Sequence, residues 1–322
     1  MTANLMGKPL ETDFMLDGIA RLRRERDAVV LAHNYQLPEV QAAADLTGDS
    51  LGLARHAAGT DAKVIVLCGV LFMAETAAIL CPEKRVLLPE LRAGCPMADM
   101  ITADDVREAR EKAPELYVVT YVNSTAEVKA VSDVCCTSAN AVEILRNAPA
   151  GRPVLFCPDR HLGEWAALQV GRTDIGLYPA ETDIRLWPGF CPTHHRLTLE
   201  DLRRAKETHP RAKVMVHPEC RLEVCRAADR VASTGGMLRY PADVDDREFI
   251  VGTEVGLLDP LRRAYPDRRF HPAAAEKMVC WNMKVTTLES VYTALSEDRY
   301  PVAVPEEVAA PARRAIERML EA

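Results

Sequence analysis

The run AVVLAHNYQ, Ala28 to Gln36, decides how this chain is read. Ala28 to Leu31 has the continuous apolar character of a strand covered on both faces, and it breaks into the polar turn His33-Asn34-Tyr35-Gln36. The same pattern recurs twice. Leu116 to Val122 leads into Tyr121-Val122-Asn123-Ser124, and Lys213 to His217 leads into His217-Pro218-Glu219-Cys220. Tyr121 follows His33 by 88 positions, and His217 follows Tyr121 by 96.

Working outward, each run opens a triplet of short strands. The first is Ala28 to Leu31, Lys63 to Leu67 and Arg85 to Leu88, linked by helical stretches Glu39 to Ala58 and Ala74 to Leu80. The second is Leu116 to Val122, Ser132 to Cys136 and Pro153 to Phe156, with a short helix over Asn140 to Arg146. The third is Lys213 to His217, Arg230 to Ala232 and Glu248 to Val251. Each unit closes on a cysteine: LLPELRAGC on Cys95, RLWPGFC on Cys191 and RFHPAAAEKMVC on Cys280, at intervals of 96 and 89. Taken alone, a cysteine is more often a small buried core residue. One per unit at the same relative place favours a shared role.

The expected fold is α/β: three tandem, pseudo-threefold-related, three-layer αβα domains with short parallel sheets, at 1–108, 109–198 and 199–285, and a C-terminal helical segment at 286–322. Strand-end loops of such units carry ligand sites, so the three would face a common interface. Thr12 to Arg26, Thr286 to Leu295 and Glu306 to Leu320 read as helices, with Pro311 interrupting or restarting the last.

The bulk composition excludes several classes. A net charge of -7 opposes binding to nucleic acid or an anionic membrane. Met1 to Asp13 lacks the apolar core of a signal peptide, and no apolar run reaches membrane-spanning length, so a cytoplasmic location is expected. Ten cysteines in a reducing compartment are not expected to pair.

Three converging thiolates suit zinc or an iron-sulphur cluster. Zinc generally takes four ligands, and the chain has no C-x-x-C, which favours a cluster with one iron left open as a Lewis acid. Cys68, Cys81, Cys135, Cys136, Cys157, Cys220 and Cys225 are assigned to the core. The turns Gly48-Asp49-Ser50, Thr137-Ser138-Ala139-Asn140 and Ser233-Thr234-Gly235-Gly236 are candidate anion-holding helix starts, with ordinary capping as the alternative.

With these residues in view, the chain resembles the bacterial quinolinate synthase family over nearly its full length. The likeness rests on AHNYQLPEVQ, ADLTGDSLGLAR, FMAETAAIL, AGCPMAD, YVNSTAEVKA, TSANAVEI, PDRHLG, GFCPTHH, VHPEC, ADRVASTGGM, GTEVG and CWNMK followed by TLE, in the family's order. It implies condensation of iminoaspartate with dihydroxyacetone phosphate to quinolinic acid, with loss of phosphate and two waters, in NAD biosynthesis. It also implies coupling to the enzyme that makes iminoaspartate. The implied cofactor is one 4Fe-4S cluster on Cys95, Cys191 and Cys280. By motif position Glu219 and His217 are implied as acid-base residues, with His194, Tyr35 and Tyr121 orienting substrate and Asn123 supporting Tyr121. His33, Ser50, Ser138, Ser233 and Thr234 are implied as donors to carboxylate or phosphate. The GFCPTH pattern selects His194 over its neighbour His195. Some relatives carry C-x-x-C-x-x-C at the third ligand; Pro272 to Val279 contains no further cysteine, so no disulphide switch is expected there. A non-catalytic iron-sulphur redox sensor and an iron-sulphur hydro-lyase are the other functional readings.

Overall fold

The computed structural model describes residues 7–322, with side chains from residue 12; most of the Met1 to Asp13 reading therefore lies outside the described residues. The described chain forms three short sheets, each parallel at its centre, flanked by helices. The first contains β1 (Ala28–His33), β2 (Leu46–Gly48), β3 (Val64–Cys68) and β4 (Arg85–Leu87). The second contains β5 (Tyr117–Tyr121), β6 (Val134–Cys136), β7 (Val154–Cys157), β8 (Ile175–Leu177) and β9 (Ile184–Leu186), in the order β6-β5-β7-β9-β8. The third contains β10 (Lys213–Val216), β11 (Arg230–Val231), β12 (Glu248–Gly252) and β13 (Arg269–Pro272), in the order β11-β10-β12-β13. A late strand, β14 (Pro301–Val302), adds antiparallel to β4, so the first sheet runs β14-β4-β3-β1-β2.

The expected α/β class is present, and the order second-first-third repeats in every sheet. A hydrogen-bonding device repeats with it. Val30, Val118 and Val214, on the leading strands, donate their amides at 2.8 Å to Asp45, Asp133 and Asp229 respectively. The same aspartates return their own amides to the carbonyls of those valines at 2.8 to 3.0 Å. Each partnership spans 15 residues. The carboxylate satisfies an N–H at the start of the leading strand and fixes where the second strand begins.

The sequence reading departs from the structure in three places. Glu39 to Ala58 is not one helical link: it is a helix Pro38–Ala43, then β2, then a helix Ser50–Gly59. Asp45 ties its segment to β1, and Asp49 caps the second helix by accepting from Gly52 N. The first triplet was therefore out of phase, because the counterpart of β6 and β11 is β2. Leu46-Thr47-Gly48 is too short and too poor in β-branched residues to signal a strand. Strands β8, β9, β13 and β14 were likewise unread. Finally, Pro311 neither interrupts nor restarts the last helix, which is continuous over Glu306–Glu321. The amide missing at Pro311 frees only the carbonyl of the exposed Glu307, while Ala309, Ala312, Ala315, Ile316 and Met319 bury one face. That face packs on the helix Ala126–Ala130 and on β6, and burial outweighs the lost bond.

The chain divides into two compact units: Met1–Gly94 with Trp281–Ala303, and Cys95–Cys280 with Val304–Ala322. In the first, Val30, Ala32, Val64 and Val66 pack with Ile19 and with Leu288, Val291 and Leu295 of the helix Leu288–Glu297. The second contains two cores, one around Val118 and Leu155 and one around Val214, Val216 and Ile250. Among the described residues no helix is long and apolar enough to cross a membrane.

Replacing Asp133 by Ala leaves the Val118 amide without its acceptor, and the expected cost is about 1–3 kcal/mol. Urea unfolding of the variant should show that loss as a lower midpoint; an unchanged midpoint would remove the aspartate from the structural account.

Candidate active site

Within the second unit, polar groups gather where leading strands end. Glu219 lies just beyond β10 and is only 3% exposed. A carboxylate out of water must be paired, and two imidazoles supply the pairing. His194 Nδ1 lies 2.6 Å from Glu219 Oε2, and His217 Nδ1 lies 3.4 Å from the same oxygen. The two rings stack with centroids 4.5 Å apart. Burial alone would raise the Glu219 pKa, but the His194 and His217 charges and hydrogen bonds hold it well below the usual carboxylate range. Glu219 Oε1 is buried with no hydrogen-bond partner among the described residues, and the same holds for Asn123 Oδ1, two positions past β5.

The surroundings fix this group firmly. His194 Nε2 is 2.8 Å from Thr253 Oγ1, just beyond β12, and His217 Nε2 is 3.2 Å from Ser138 Oγ. Tyr121 closes β5 with a buried side chain. Beneath that turn the fully buried Lys129 donates to the Ser124 carbonyl. Ser233 and Thr234 are buried at the start of the helix Thr234–Arg239, where the Ser233 hydroxyl accepts from Gly236 N at 3.3 Å. Ser138, by contrast, spends its hydroxyl on His217 rather than on a cap.

His195 is engaged elsewhere. Arg221 donates to its Nε2 at 3.1 Å, so its Nδ1 carries the proton and donates to His161 Nε2 at 2.9 Å. Burial, then the neighbouring arginine charges, lower its pKa. Of the two adjacent histidines, His194 meets Glu219.

In the first unit, His33 and Tyr35 are buried with their rings edge to face, centroids 4.5 Å apart, and Tyr35 N donates to His33 Nδ1. His217 holds the matching place after β10, with Glu219 N 3.4 Å from its Nδ1, although that nitrogen serves the Glu219 carboxylate, so the placement of the turn residue repeats. Lys284 holds the Tyr35 carbonyl, and Gln36 donates to Met283 Sδ, which ties the CWNMK segment to this turn. Ser50 begins the helix that Asp49 caps.

Of the ten cysteines, seven are buried and three, Cys95, Cys191 and Cys280, are partly exposed. These are the three that the repeat selected. Burial pushes the Cys95 thiol up to about 12, and the Cys280 and Glu219 charges add to it. Burial, Glu219, Asp159 and Cys280 hold Cys191 well above its ordinary value. Cys280 lies in electrostatic reach of both Cys95 and Cys191, and these two thiols resist ionisation unless a cation supplies the compensating charge, which is the condition that a metal centre meets. Cys191 Sγ is also 3.2 Å from His194 Nδ1, and Cys191, His194 and Glu219 present donor atoms all within 4.8 Å of one another. The residues therefore fit a metal group.

Two positioning residues were not foreseen. Asp159 and Glu254 are fully buried and each lies two positions past the third strand of its sheet. Asp159 Oδ1 accepts from His161 N and Leu162 N, while its Oδ2 accepts from Cys191 N at 3.0 Å. Glu254 Oε2 accepts from Gly256 N, and its Oε1 accepts from Cys280 N at 3.2 Å. One oxygen caps a helix and the other holds the amide of a thiol-bearing residue. The signal was legible, since the two acids lie 95 positions apart within PDRHLG and GTEVG. The first sheet has Val70 at that place. Gly189 serves the same segment: an added Cβ would lie 2.5 Å from the Pro158 carbonyl oxygen, so only glycine permits the approach that brings Cys191 in.

Comparison with known proteins supplies independent findings. The family model described as Quinolinate synthetase A protein matches residues 17–321. The chain is 50% identical over 305 residues to a quinolinate synthase of Thermodesulfovibrio yellowstonii, covering 95% of this chain and 97% of that protein. It is 52% identical over 310 residues to a quinolinate synthase of Dehalococcoides mccartyi and 51% identical over 310 residues to one of Methanoregula boonei, each match covering 96% of this chain and 99% of the relative.

Because one carboxylate oxygen serves two imidazoles, His194→Gln and Glu219→Gln should not act independently. A double-mutant cycle on thermal stability is expected to give a coupling of about 1–3 kcal/mol; strictly additive losses would dissolve the pair.

Proposed function

The chain belongs to the quinolinate synthetase A family, and from that membership, with the clasped carboxylate of Glu219, we propose that it is a quinolinate synthase condensing iminoaspartate with dihydroxyacetone phosphate. Quinolinic acid, phosphate and two waters are the products, on the route to NAD. The observation that carries this reading is the buried Glu219, with Oε2 committed to His194 and His217 and Oε1 without a partner among the described residues. Such a group exchanges protons with substrate as a unit, Oε1 turned to the proton that leaves and the two imidazoles beside Oε2 able to take it up and return it to a departing oxygen.

Tyr121, with Asn123 beside it, and Tyr35 are assigned to orienting substrate hydroxyl or carbonyl groups. His33, Ser50, Ser138, Ser233 and Thr234 are assigned to its carboxylates and phosphate. Cys95, Cys191 and Cys280 would hold a 4Fe-4S cluster, which when bound supplies Lewis-acid chemistry at an iron that no cysteine ligates. Asp159 and Glu254 position two of those ligands. The high cysteine count, ten thiols expected to stay reduced, supports a cytoplasmic location, and coupling to the enzyme that makes iminoaspartate follows from the instability of an imine in water.

The direct test is an anaerobic assay with both substrates. Quinolinate and one phosphate should form per turnover, and a hydro-lyase or a redox sensor would leave dihydroxyacetone phosphate unconsumed. Glu219→Gln is expected to retain iron and lose at least a hundredfold in kcat; near-normal turnover would exclude Glu219 from the chemistry. Asp159→Ala and Glu254→Ala should fold yet lose iron to a chelator several times faster than the parent. Iron loss at the parental rate in both would limit these acids to helix capping.

A further inference from the structure

A second cluster of ligand-type side chains lies in the second unit and shares no residue with the site above. His209 follows the helix Leu199–Thr208 as its capping residue, Glu248 opens β12, and His271 lies on the adjacent edge strand β13. His271 Nε2 is 2.9 Å from Glu248 Oε1, and His209 Nδ1 is 3.4 Å from the same oxygen. The imidazoles stack with centroids 3.5 Å apart and planes 12° from parallel, closer than aromatic rings generally settle. All three donor atoms lie within 4.8 Å of one another.

We propose that His209, Glu248 and His271 form a surface site for a single divalent ion of the zinc class, pinning the C-terminal end of the helix Leu199–Thr208 to the edge of the third sheet. Two imidazoles and a carboxylate are a zinc donor set, and bonds of about 2.0–2.1 Å in a tetrahedron put neighbouring ligand atoms about 3.3 Å apart. The two nitrogen-to-oxygen separations bracket that value. The side chains are 26%, 15% and 25% exposed, which lets an ion enter and leaves a fourth position for water. The backbone at each position is held. His209 N donates to Ala205 O, its carbonyl accepts from Ala212 N, and Glu248 and Arg269 are register partners across β12 and β13. Arg269 reaches the other carboxylate oxygen, Oε2, at 3.4 Å, but its side chain is 66% exposed and free to swing into water.

The test is zinc binding to the full-length, anaerobically prepared, iron-loaded protein by equilibrium dialysis, with cobalt(II) absorption as a second readout. One zinc per chain beyond the iron is expected, with intense tetrahedral cobalt bands. His271→Ala and His209→Ala should each weaken zinc binding at least tenfold and abolish those bands. Iron content should stay at the parental value, because the two clusters share no residue; Glu248→Gln serves as a third, near-isosteric variant that keeps the test valid if a truncated histidine costs stability. No zinc bound by the parent, or parental affinity in the folded histidine variants, overturns the site.

Discussion

A carboxylate placed 15 residues after a strand valine, accepting that valine's amide, is the interaction on which the rest depends. Parallel sheets of strands two to six residues long have few ladder bonds to hold their register, and an unpaired N–H inside them costs more than a single bond returns. The aspartate removes that cost and fixes the phase of the first two strands. Everything beyond the strand ends inherits its position from this arrangement. His33 takes the Tyr35 amide at Nδ1, His217 turns its Nδ1 to the Glu219 carboxylate, and Thr253, Asp159 and Glu254 occupy the next turns.

The chemistry of the second unit follows from enclosing charge. Glu219 is kept ionised by two imidazoles, whereas burial and the nearby Glu219 charge push Asp159 well above its usual value. Two carboxylates of one unit are thereby set to opposite purposes. One stays available to react, and the other is consumed in holding three amides. The half-open thiols stand apart from seven that are sealed in apolar surroundings and serve packing.

Much of this was readable in the sequence, for identifiable reasons. The leading strands announced themselves through apolar runs ending in polar turns, and the ligand-type cysteines through their recurrence. Repetition carried that signal where composition could not, since Cys95 and Cys68 are chemically alike. What escaped was decided by partners remote along the chain. The strand Leu46–Gly48 exists because Asp45 bonds to Val30, and the helix through Pro311 survives because its alanine-rich face is covered by β6. Asp159 and Glu254 were passed over because an acid after a strand reads as a helix cap, and capping is half of what each one does. The imidazole pair at Glu248 was invisible because its members are joined only by strand register and a helix end.

The path of the polypeptide has a consequence for synthesis. The first unit is completed by residues 281–303 and the second by 304–322, so neither unit is a continuous stretch. A ribosome adding about 5–20 residues per second leaves β6 waiting on the order of ten to thirty seconds for the helix Glu306–Glu321 that covers it. During that interval the nascent second sheet has an uncovered apolar face. Closure during synthesis is therefore staged: the first unit can close once residues 281–303 are made, and the β6 face is covered only when the helix Glu306–Glu321 follows.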